Sequence, residues 1–347
     1  MENTYSQWNV SESCTSALCI SQVSIVCFIA VVSLAGNLGI LVTLLSTPSL
    51  RNSHGYLLTS LAVADFGVGL VAASAVYPSV THVWPYGNAA CKITAYFEAV
   101  FTLASSLSLI MLSIERYIAV AHPFKYVHLV TKRNTVISTI TVCWALPVTF
   151  YAGFILVQSH YQFTQDAWVC TPAYGDRFFY TLAGLLVFFF PSLLIIGITS
   201  VIVHRTLSQN AQHRESMLAM VMSPSSSPSS PPSSPPSSES DSLQPRLSRR
   251  EVKMFRLVRA VALAFYICWV PNVAVGLGYL AAGQRSPSNL VFFLYWLHLS
   301  SGLCNFVIYF VMNTNFRKAI TEKVGVCCHL CCKKRRQSYT VENRERQ

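Results

Sequence analysis

Glu115, Arg116 and Tyr117 place a carboxylate, a guanidinium and a phenol at the end of a long apolar run, residues 95–112. That run is long enough to cross most of a bilayer. An arginine at the membrane edge is costly unless the span ends there or a carboxylate pairs with it. Glu115 is one available partner, and Glu251, at the start of a later apolar run, is another. The pattern predicts an ion pair that can be made and broken where a helix meets the cytosol, which is a switch.

A second set of polar residues lies inside the apolar runs, where each ionisable side chain indicates a function. Asp65 lies in the middle of one run, and Glu98 lies near the outer end of another. Intervals of three and four residues place Glu98 and Arg116 on one stripe of a helix. The stripe is Glu98, Thr102, Ser105, Leu109, Leu112 and Arg116. We expect a two-state bundle in which a ligand near Glu98 favours the arrangement that frees Arg116.

These residues need a membrane scaffold, and the composition predicts one. Of the 347 residues 52% are hydrophobic and 11% are charged, whereas soluble domains are about 25% charged. Backbone groups in lipid must bond within their own segment, which favours helices. Seven apolar runs can span the ~30 Å hydrocarbon core, and they are residues 21–45, 56–79, 92–120, 136–156, 178–204, 255–281 and 290–312. The sequence therefore predicts an all-α membrane protein, a seven-transmembrane helix bundle.

The positions of lysine and arginine predict the orientation. With the N-terminus outside, only Lys92, Arg177 and Arg285 of the 25 basic residues fall on outer segments, as the positive-inside rule requires. We expect residues 1–20 to be extracellular, 21–312 to form the bundle, and 313–347 to be cytoplasmic. Residues 1–19 lack a basic start and a cleavage site, so no removable signal peptide is expected. The net charge of +11 suits anionic lipid headgroups rather than nucleic acid.

The outer segments contain sites for covalent modification. Cys91 and Cys170 both face an oxidising compartment in this topology, and a disulfide between them is expected. Cys14 and Cys19 are also outside and form a second potential pair. The sequon that begins at Asn9 lies on the same side and predicts N-glycosylation.

The cytoplasmic segments are of two kinds. The inner loop at about residues 206–250 contains sixteen consecutive Ser or Pro residues, 223–238, which predict disorder. This tract is either a site of proline-directed phosphorylation or a passive spacer. Phe316, Ile320 and Val324 recur every four residues and predict a short amphipathic eighth helix on the membrane surface. Four cysteines beside it favour palmitoylation over a zinc site, and they are Cys327, Cys328, Cys331 and Cys332.

The ordered set of motifs resembles the rhodopsin-like (class A) G-protein-coupled receptors over all seven runs. The matching residues are Gly36-Asn37, Leu61 to Asp65, Trp84, Cys91, Glu115-Arg116-Tyr117, Pro123-Phe124, Trp144, Cys170, Pro191, Phe265, Cys268-Trp269-Val270-Pro271, Asn305 to Tyr309 and Asn313 to Arg317. The resemblance implies a plasma-membrane receptor that binds an extracellular small molecule and activates a heterotrimeric G protein. It also implies arrestin and receptor kinases as partners, with no enzymatic activity.

The resemblance implies a role for individual residues. The activation switch would be Glu115, Arg116, Tyr117, Glu251, Phe265, Trp269, Asn305 and Tyr309. Contact with the G protein would come from Arg116, Pro123 and Phe124. Asp65, Ser105 and Asn305 would hold an allosteric sodium ion, with Ser301 and Trp269 nearby. A water-filled polar network without sodium is the alternative.

Three residues depart from the family pattern. Phe306 stands where the family has the proline that bends the seventh helix. Thr199 stands where a tyrosine usually meets the activated Arg116 and Tyr309. Glu115 replaces the commoner aspartate, which is conservative. The bend of the seventh helix and the Arg116 contact are therefore open questions.

The sequence predicts the chemical class of the ligand less specifically than it predicts the receptor family. Glu98 lies where amine receptors of the family carry an aspartate for the ligand's ammonium, and it favours a cationic amine. The other expected ligand contacts are Thr102, Trp269, Asn272, Tyr295 and His298. Alternatively, Glu98 forms a hydrogen bond within the bundle. The ligand is then nucleoside-like, indole-like, a lipid or a peptide. A further alternative is a receptor that is constitutively active. A transporter or channel is the competing class, but Asp65 and Glu98 alone make no polar path across the membrane.

Overall fold

The computed structural model describes residues 16–157, 161–172, 185–222, 249–282, 284, 286–314 and 316–321. Within these residues six helices are each long and apolar enough to cross a membrane, and a bent pair of helices supplies a seventh crossing. The predicted seven-helix fold is confirmed. We call the end of the bundle near Arg116 the inner end and the end near Cys91 the outer end.

Six of the seven spans begin and end within about six residues of the predicted bounds, and the fifth extends well beyond its predicted end. The first three spans are Ala17–Ser46, Ser53–Ser74 continued by Val76–Thr81, and Gly87–Ala121. The fourth consists of Lys132–Ser138, a π-helical turn Thr139–Ala145 and Leu146–Val157, and the fifth of a π-helical turn Leu185–Phe189 and Phe190–Met222. The sixth is Arg249–Ala281, and the seventh is Ser288–Leu299 with Ser301–Met312. A 3-10 turn, Pro48–Leu50, joins the first two spans. The inner-loop helix, Pro123–Leu129, joins the third and fourth, and residues 316–321 are helical after the seventh.

Side-chain caps explain where several spans start. The hydroxyl of Ser16 accepts a hydrogen bond from the amide of Cys19 at 3.1 Å. The side chain of Asn52 accepts one from the amide of Gly55 at 2.9 Å, and Thr131 caps the fourth span in the same way. Each cap satisfies an amide that the first helical turn leaves without a partner.

Polar contacts join the middle spans because lipid offers no hydrophobic force between helices. The hydroxyls of Ser60 and Ser108 lie 2.9 Å apart and connect the second span to the third. The indole nitrogen of Trp144 donates to Ser60 at 3.0 Å and adds the fourth span. Around this contact lies the main apolar core, which includes Leu61, Leu109, Leu112, Val261 and Phe265. The third and fourth spans are thus both hydrogen-bonded to the same serine of the second span.

The predicted inner loop at 206–250 is too long at both ends. The fifth span continues as helix to Met222, and the sixth begins at Arg249. Leu207 packs against Val120, Val203 and Phe255, so the helix still has an apolar face to bury beyond the expected end of the span. The Ser/Pro tract, Asn9, Cys14 and the four tail cysteines lie outside the described residues.

The seventh span bends without a proline. Its two helices meet at Ser300 with an angle of 41°, and the Ser300 hydroxyl donates to the carbonyl of Leu297 at 2.6 Å. Neighbouring serine and glycine residues are a known cause of helix kinks, and Ser301 and Gly302 follow directly. The bend therefore lies six residues before Phe306, the position where the family has its proline.

Phe306 fills a gap beside the first span. A Cβ atom on Gly36 would lie 2.6 Å from Cγ of the Phe306 ring, which is too close for any real contact. Gly36 is therefore needed for the ring to sit against the first span.

An outer hairpin closes the outer end of the bundle. Strands β1, Tyr161–Thr164, and β2, Val169–Pro172, pair antiparallel, and the predicted Cys91–Cys170 disulfide ties β2 to the third span. The turn packs its residues Ala167 and Trp168 among spans one, two and seven. Trp296 donates its indole hydrogen to the carbonyl of Ala167 at 3.1 Å. Cys19 is also disulfide-bonded.

We expect Gly36→Ala to destabilise the protein by about 1–3 kcal/mol, because the added methyl group overpacks against Phe306. Thermal unfolding of the purified protein in detergent measures the change. Gly197→Ala is the matched control, since nothing lies within 4 Å of its added Cβ. Combining Gly36→Ala with Phe306→Leu should recover part of the loss. Equal melting temperatures for Gly36→Ala and Gly197→Ala would contradict this packing account.

Candidate functional site

At the inner end, one buried carboxylate collects three donors. Arg116 donates from Nε to Oε2 of Glu115 at 2.6 Å and from its guanidinium to Oε1. Nδ1 of His54 lies 3.0 Å from the same Oε2, and the hydroxyl of Tyr126 donates to Oε1 at 2.8 Å. Glu115, Arg116 and His54 are each 6% exposed or less. The carboxylate is thus held by groups from the second span, the third span and the inner-loop helix. We call these four residues the inner cluster.

The chain folds locally so that the inner cluster can form. His54 lies in the first turn of the second span, directly after Ser53, whose hydroxyl donates to the carbonyl of Val130 at 3.0 Å. This bond holds the end of the inner loop against the second span, and Tyr126 lies one helical turn earlier on that loop. Charged groups buried at a membrane edge are tolerated only when paired and hydrogen-bonded.

Sequence reasoning found half of the inner cluster. It paired Glu115 with Arg116 and missed His54 and Tyr126. The missed signal was a histidine at the inner end of an apolar run, where an ionisable residue should have been examined. Glu251 lies in the first turn of the sixth span, but its side chain is outside the described residues. Its pairing with Arg116 stays a prediction.

Asp65 is the centre of a second polar cluster, in the middle of the bundle. Its Oδ1 accepts from the Ser105 hydroxyl at 2.8 Å, and its Oδ2 accepts from the Asn305 amide at 2.7 Å. Gly302 allows this approach, because a Cβ there would lie 3.0 Å from the Asp65 side chain. Of the three residues expected to hold a sodium ion, Ser105 and Asn305 are thus both hydrogen-bonded to Asp65.

A small cavity lies beside Asp65. Its polar lining comes from Asp65, Thr102, Ser105, Trp269, His298 and Ser301. The enclosed space holds about one water molecule or a small ion, whereas pockets for drug-sized ligands hold about 300–1,000 Å³. Oδ1 of Asn305 is buried and has no partner among the described residues, which leaves an oxygen donor for a cation. No three His, Cys, Asp or Glu side chains converge as a metal site in the part of the chain that the structure describes.

Trp269 belongs to the sixth span, lines the cavity and packs against the fifth and seventh spans. Its ring stacks on Phe265 with the ring centres 5.2 Å apart and on Phe189 of the fifth span at 6.1 Å. His298 of the seventh span meets the same indole edge-on at 4.5 Å. The indole nitrogen and at least one His298 nitrogen are buried without a protein partner in the described residues. Because buried polar atoms require a partner, this place favours a polar ligand group or water.

The predicted ligand contacts are only partly brought together. Thr102, Trp269 and His298 line the cavity, and the Tyr295 ring meets His298 edge-on at 5.3 Å. Glu98 is half-buried one turn outward of Thr102, and Asn272 is half-buried close to Trp269 in the sixth span; neither is among the residues that line this cavity. Glu98 therefore lies outward of the cavity, and its contact with a ligand stays a prediction.

Tyr309, Thr199 and Phe124 are further positions at which the sequence raises an expectation. Tyr309 is 3% exposed, and its hydroxyl has no partner among the described residues. The Thr199 hydroxyl donates to the carbonyl of Ile195 on its own helix at 2.7 Å, so it is already occupied. Phe124 is 77% exposed on the inner-loop helix, directly after Pro123. The inner end thus presents an apolar side chain next to the charged cluster.

Comparisons with known proteins agree with this architecture. The family described as "7 transmembrane receptor (rhodopsin family)" matches residues 36–309. "Trace amine-associated receptor 8b" of Mus musculus is 28% identical over 303 residues, which cover 84% of this chain and 83% of that protein. "Probable G-protein coupled receptor 21" of Homo sapiens is 25% identical over 346 residues, which cover 95% and 91%.

Squid rhodopsin has the same fold. The match to its crystal structure covers 91% of this chain and 87% of the rhodopsin chain, with a TM-score of 0.70 and 20% sequence identity. The family consists of receptors and is not a class of enzymes. Since the family match covers well over half of the sequence, this chain belongs to the rhodopsin-like G-protein-coupled receptors.

Proposed function

We propose that this receptor lies in the plasma membrane with its N-terminus outside and converts the binding of an extracellular small molecule into nucleotide exchange on a heterotrimeric G protein. The observation that supports this most is the third span, whose single face carries Thr102 and Ser105 at the cavity and Arg116 in the inner cluster. A shift of this span relative to the sixth and seventh acts on both places at once. Arrestin and receptor kinases are its further cytoplasmic partners.

The rest of the chain serves the same role in this proposal. Residues 1–20 form the extracellular segment with a glycan on Asn9, 21–312 form the bundle, and 313–347 form the cytoplasmic tail. Palmitoyl groups on the tail cysteines, 327, 328, 331 and 332, hold that tail at the membrane surface, aided by anionic lipids.

The mechanism is a change of population between two packings of the bundle. A ligand that presses on Trp269 moves the aromatic stack with Phe265, which lies in the main core. That movement carries the inner end of the sixth span outward and lets Arg116 leave Glu115. Moving such an equilibrium from 1:99 to 99:1 takes about 5.5 kcal/mol of differential binding. The freed Arg116 and the exposed Phe124 then meet the G protein.

Arg116→Ala should reduce nucleotide exchange on a purified G protein by at least about tenfold. The loss of a buried charge contact at an interface costs about 2–5 kcal/mol, and each 1.4 kcal/mol is about tenfold. Exchange is measured with the purified receptor in lipid nanodiscs. Arg133→Ala is the control, since Arg133 is an exposed arginine at the inner end of the fourth span. Undiminished exchange by Arg116→Ala would refute the role assigned to this arginine.

A cationic amine is the ligand class that we propose. Glu98 puts a carboxylate above the cavity, and the aromatic ring of Tyr295 adds a surface for an ammonium group. The names of the trace amine-associated relatives support the same class. A polar group at the other end of the ligand meets His298 and Trp269, whose buried nitrogens need partners.

Glu98→Gln should lower the potency of activating amines by about tenfold or more, because a hydrogen bond to a charged group contributes about 1.5–3 kcal/mol. A panel of arylethylamines is compared with the matching uncharged alcohols, whose potency should not change. Asp166→Asn removes a half-buried carboxylate of the outer hairpin and controls for the general loss of outer negative charge. Amines that activate the wild type and Glu98→Gln equally well would exclude the ammonium contact.

We also propose that Asp65, Ser105 and Asn305 hold a sodium ion that favours the resting packing. Sodium should then raise the stability of the wild type by about 1–3 kcal/mol at concentrations well above its dissociation constant. Melting temperatures in sodium chloride are compared with those in choline chloride at equal ionic strength. Asp65→Asn keeps the shape of the side chain and should abolish the difference. A difference of the same size in Asp65→Asn would leave only a water-filled polar network.

High basal activity is the second candidate function, and the outer hairpin favours it. The turn residues Ala167 and Trp168 fill the outer end of the bundle between spans one, two and seven. A receptor whose own loop occupies part of this region needs less from a ligand to reach the active packing. Ligand-free exchange of the wild type above that of Arg116→Ala distinguishes this case.

A further inference from the structure

His54 is a buried histidine that the mechanism above does not use. Its Nδ1 atom lies 3.0 Å from Oε2 of Glu115, the atom that also accepts from Nε of Arg116. The side chains of His54 and Glu115 are only 7% and 3% exposed. The geometry fixes the role of Nδ1, because an ionised carboxylate only accepts hydrogen bonds and the histidine must therefore donate. His54 thus competes with Arg116 for one oxygen while it holds the carboxylate in place.

We propose that His54 is a positioning residue of the switch and that its protonation makes the resting state depend on cytosolic pH. This inference rests on the proposed function of Arg116. Neutral His54 donates one hydrogen bond to the ionised carboxylate of Glu115. Protonation of His54 adds the attraction between opposite charges to the same contact. Histidine is the side chain whose charge ordinarily changes between about pH 5 and 8, so cytosolic pH can move this equilibrium.

Several elements around His54 carry charged or titratable groups. The third span contributes Glu115 and Arg116, and the inner-loop helix contributes Tyr126. Lys125 and His128 of that helix, and Arg51 before the second span, are exposed. The fourth span begins with Lys132 and Arg133, which are exposed, and the seventh contributes Tyr309. The last turn of the first span has no acidic or basic residue. Glu115 is therefore the one carboxylate placed on His54 among the described residues.

The sign of the effect follows from these contacts. A proton on His54 strengthens its bond to Glu115 and adds a second positive charge next to Arg116. The carboxylate between them holds both cations, so the inner ends of the second and third spans are more firmly joined. Acidification therefore favours the packing in which Glu115 stays in the inner cluster, and basal exchange should fall as cytosolic pH falls.

The test measures basal nucleotide exchange by the purified full-length receptor in lipid nanodiscs between pH 6.0 and 7.5. Receptor-free exchange by the G protein at each pH is subtracted. Wild-type exchange should fall by about threefold or more as the pH falls from 7.5 to 6.0, and no more steeply than tenfold per pH unit, because one proton is taken up. His54→Asn places an amide donor near the position of Nδ1 but cannot take up a proton. It should flatten the pH profile.

Three further variants separate positioning from titration. His54→Phe keeps a ring but removes the donor, and it should raise exchange at every pH. Tyr126→Phe removes a donor that does not titrate in this range, so it should raise exchange and keep the wild-type slope. His128→Asn removes an exposed cytosolic histidine and should also keep the slope. A slope that survives in His54→Asn, or that is lost in His128→Asn, would overturn the inference.

Melting temperature across the same pH range provides a reading that does not involve the G protein. The wild type should gain stability toward pH 6.0 relative to His54→Asn. If this difference is present but no variant promotes exchange, the proposed coupling to a G protein fails while the His54–Glu115 contact stands. If exchange is measurable but neither reading depends on His54, the inference fails while the proposed function stands.

Discussion

A single buried carboxylate, that of Glu115, determines how the inner end of the bundle is arranged. An ionised group at that depth is tolerated only if several donors replace its water. Arg116, His54 and Tyr126 supply them, and they come from three separate elements. The second span, the third span and the inner-loop helix must therefore meet at one point. The place where a G protein would dock is built around the satisfaction of one charge.

The middle of the bundle follows the same rule with a different balance. Asp65 has two neutral donors, Ser105 and Asn305, and a small polar cavity beside it. The Asp65 carboxylate receives fewer donors than the Glu115 carboxylate does, which is the basis of the proposal that a cation binds beside it. Its neighbours Trp269 and His298 leave polar nitrogens unbonded in the described part of the structure. The Glu115 carboxylate is thus fully hydrogen-bonded within the protein, whereas the cluster around Asp65 keeps polar atoms without a partner in the described residues.

Much of the fold could be predicted because membrane insertion leaves few choices. The lengths of the apolar runs predicted the seven spans. The predicted topology placed Cys91 and Cys170 on the same side, and the structure contains their disulfide. Asp65, Ser105 and Asn305 were grouped by resemblance to the receptor family, because family motifs predict contacts between residues that are far apart in the sequence. His54 and Tyr126 were missed because they are 61 and 11 residues away from Glu115, and no periodicity within one helix connects them.

The length of the fifth span and the position of the bend in the seventh were missed for another reason. Leu207 extends a helix through an apolar contact with its neighbours outside the expected span. The bend at Ser300 is caused by short-range hydrogen bonding and small residues rather than by proline. Both effects are decided by tertiary packing, which a hydropathy profile does not contain.

The contact between Gly36 and Phe306 has a consequence for how this sequence can change over time. The two positions lie on different spans, yet the ring of one occupies the space that any side chain on the other would need. Mutational drift at either position is conditional on the other. A proline at 306 would leave a hole beside the first helix and add a second break to the seventh. A change to proline at this position alone is therefore unfavourable, and it needs compensating changes at Gly36 and at the serine hinge.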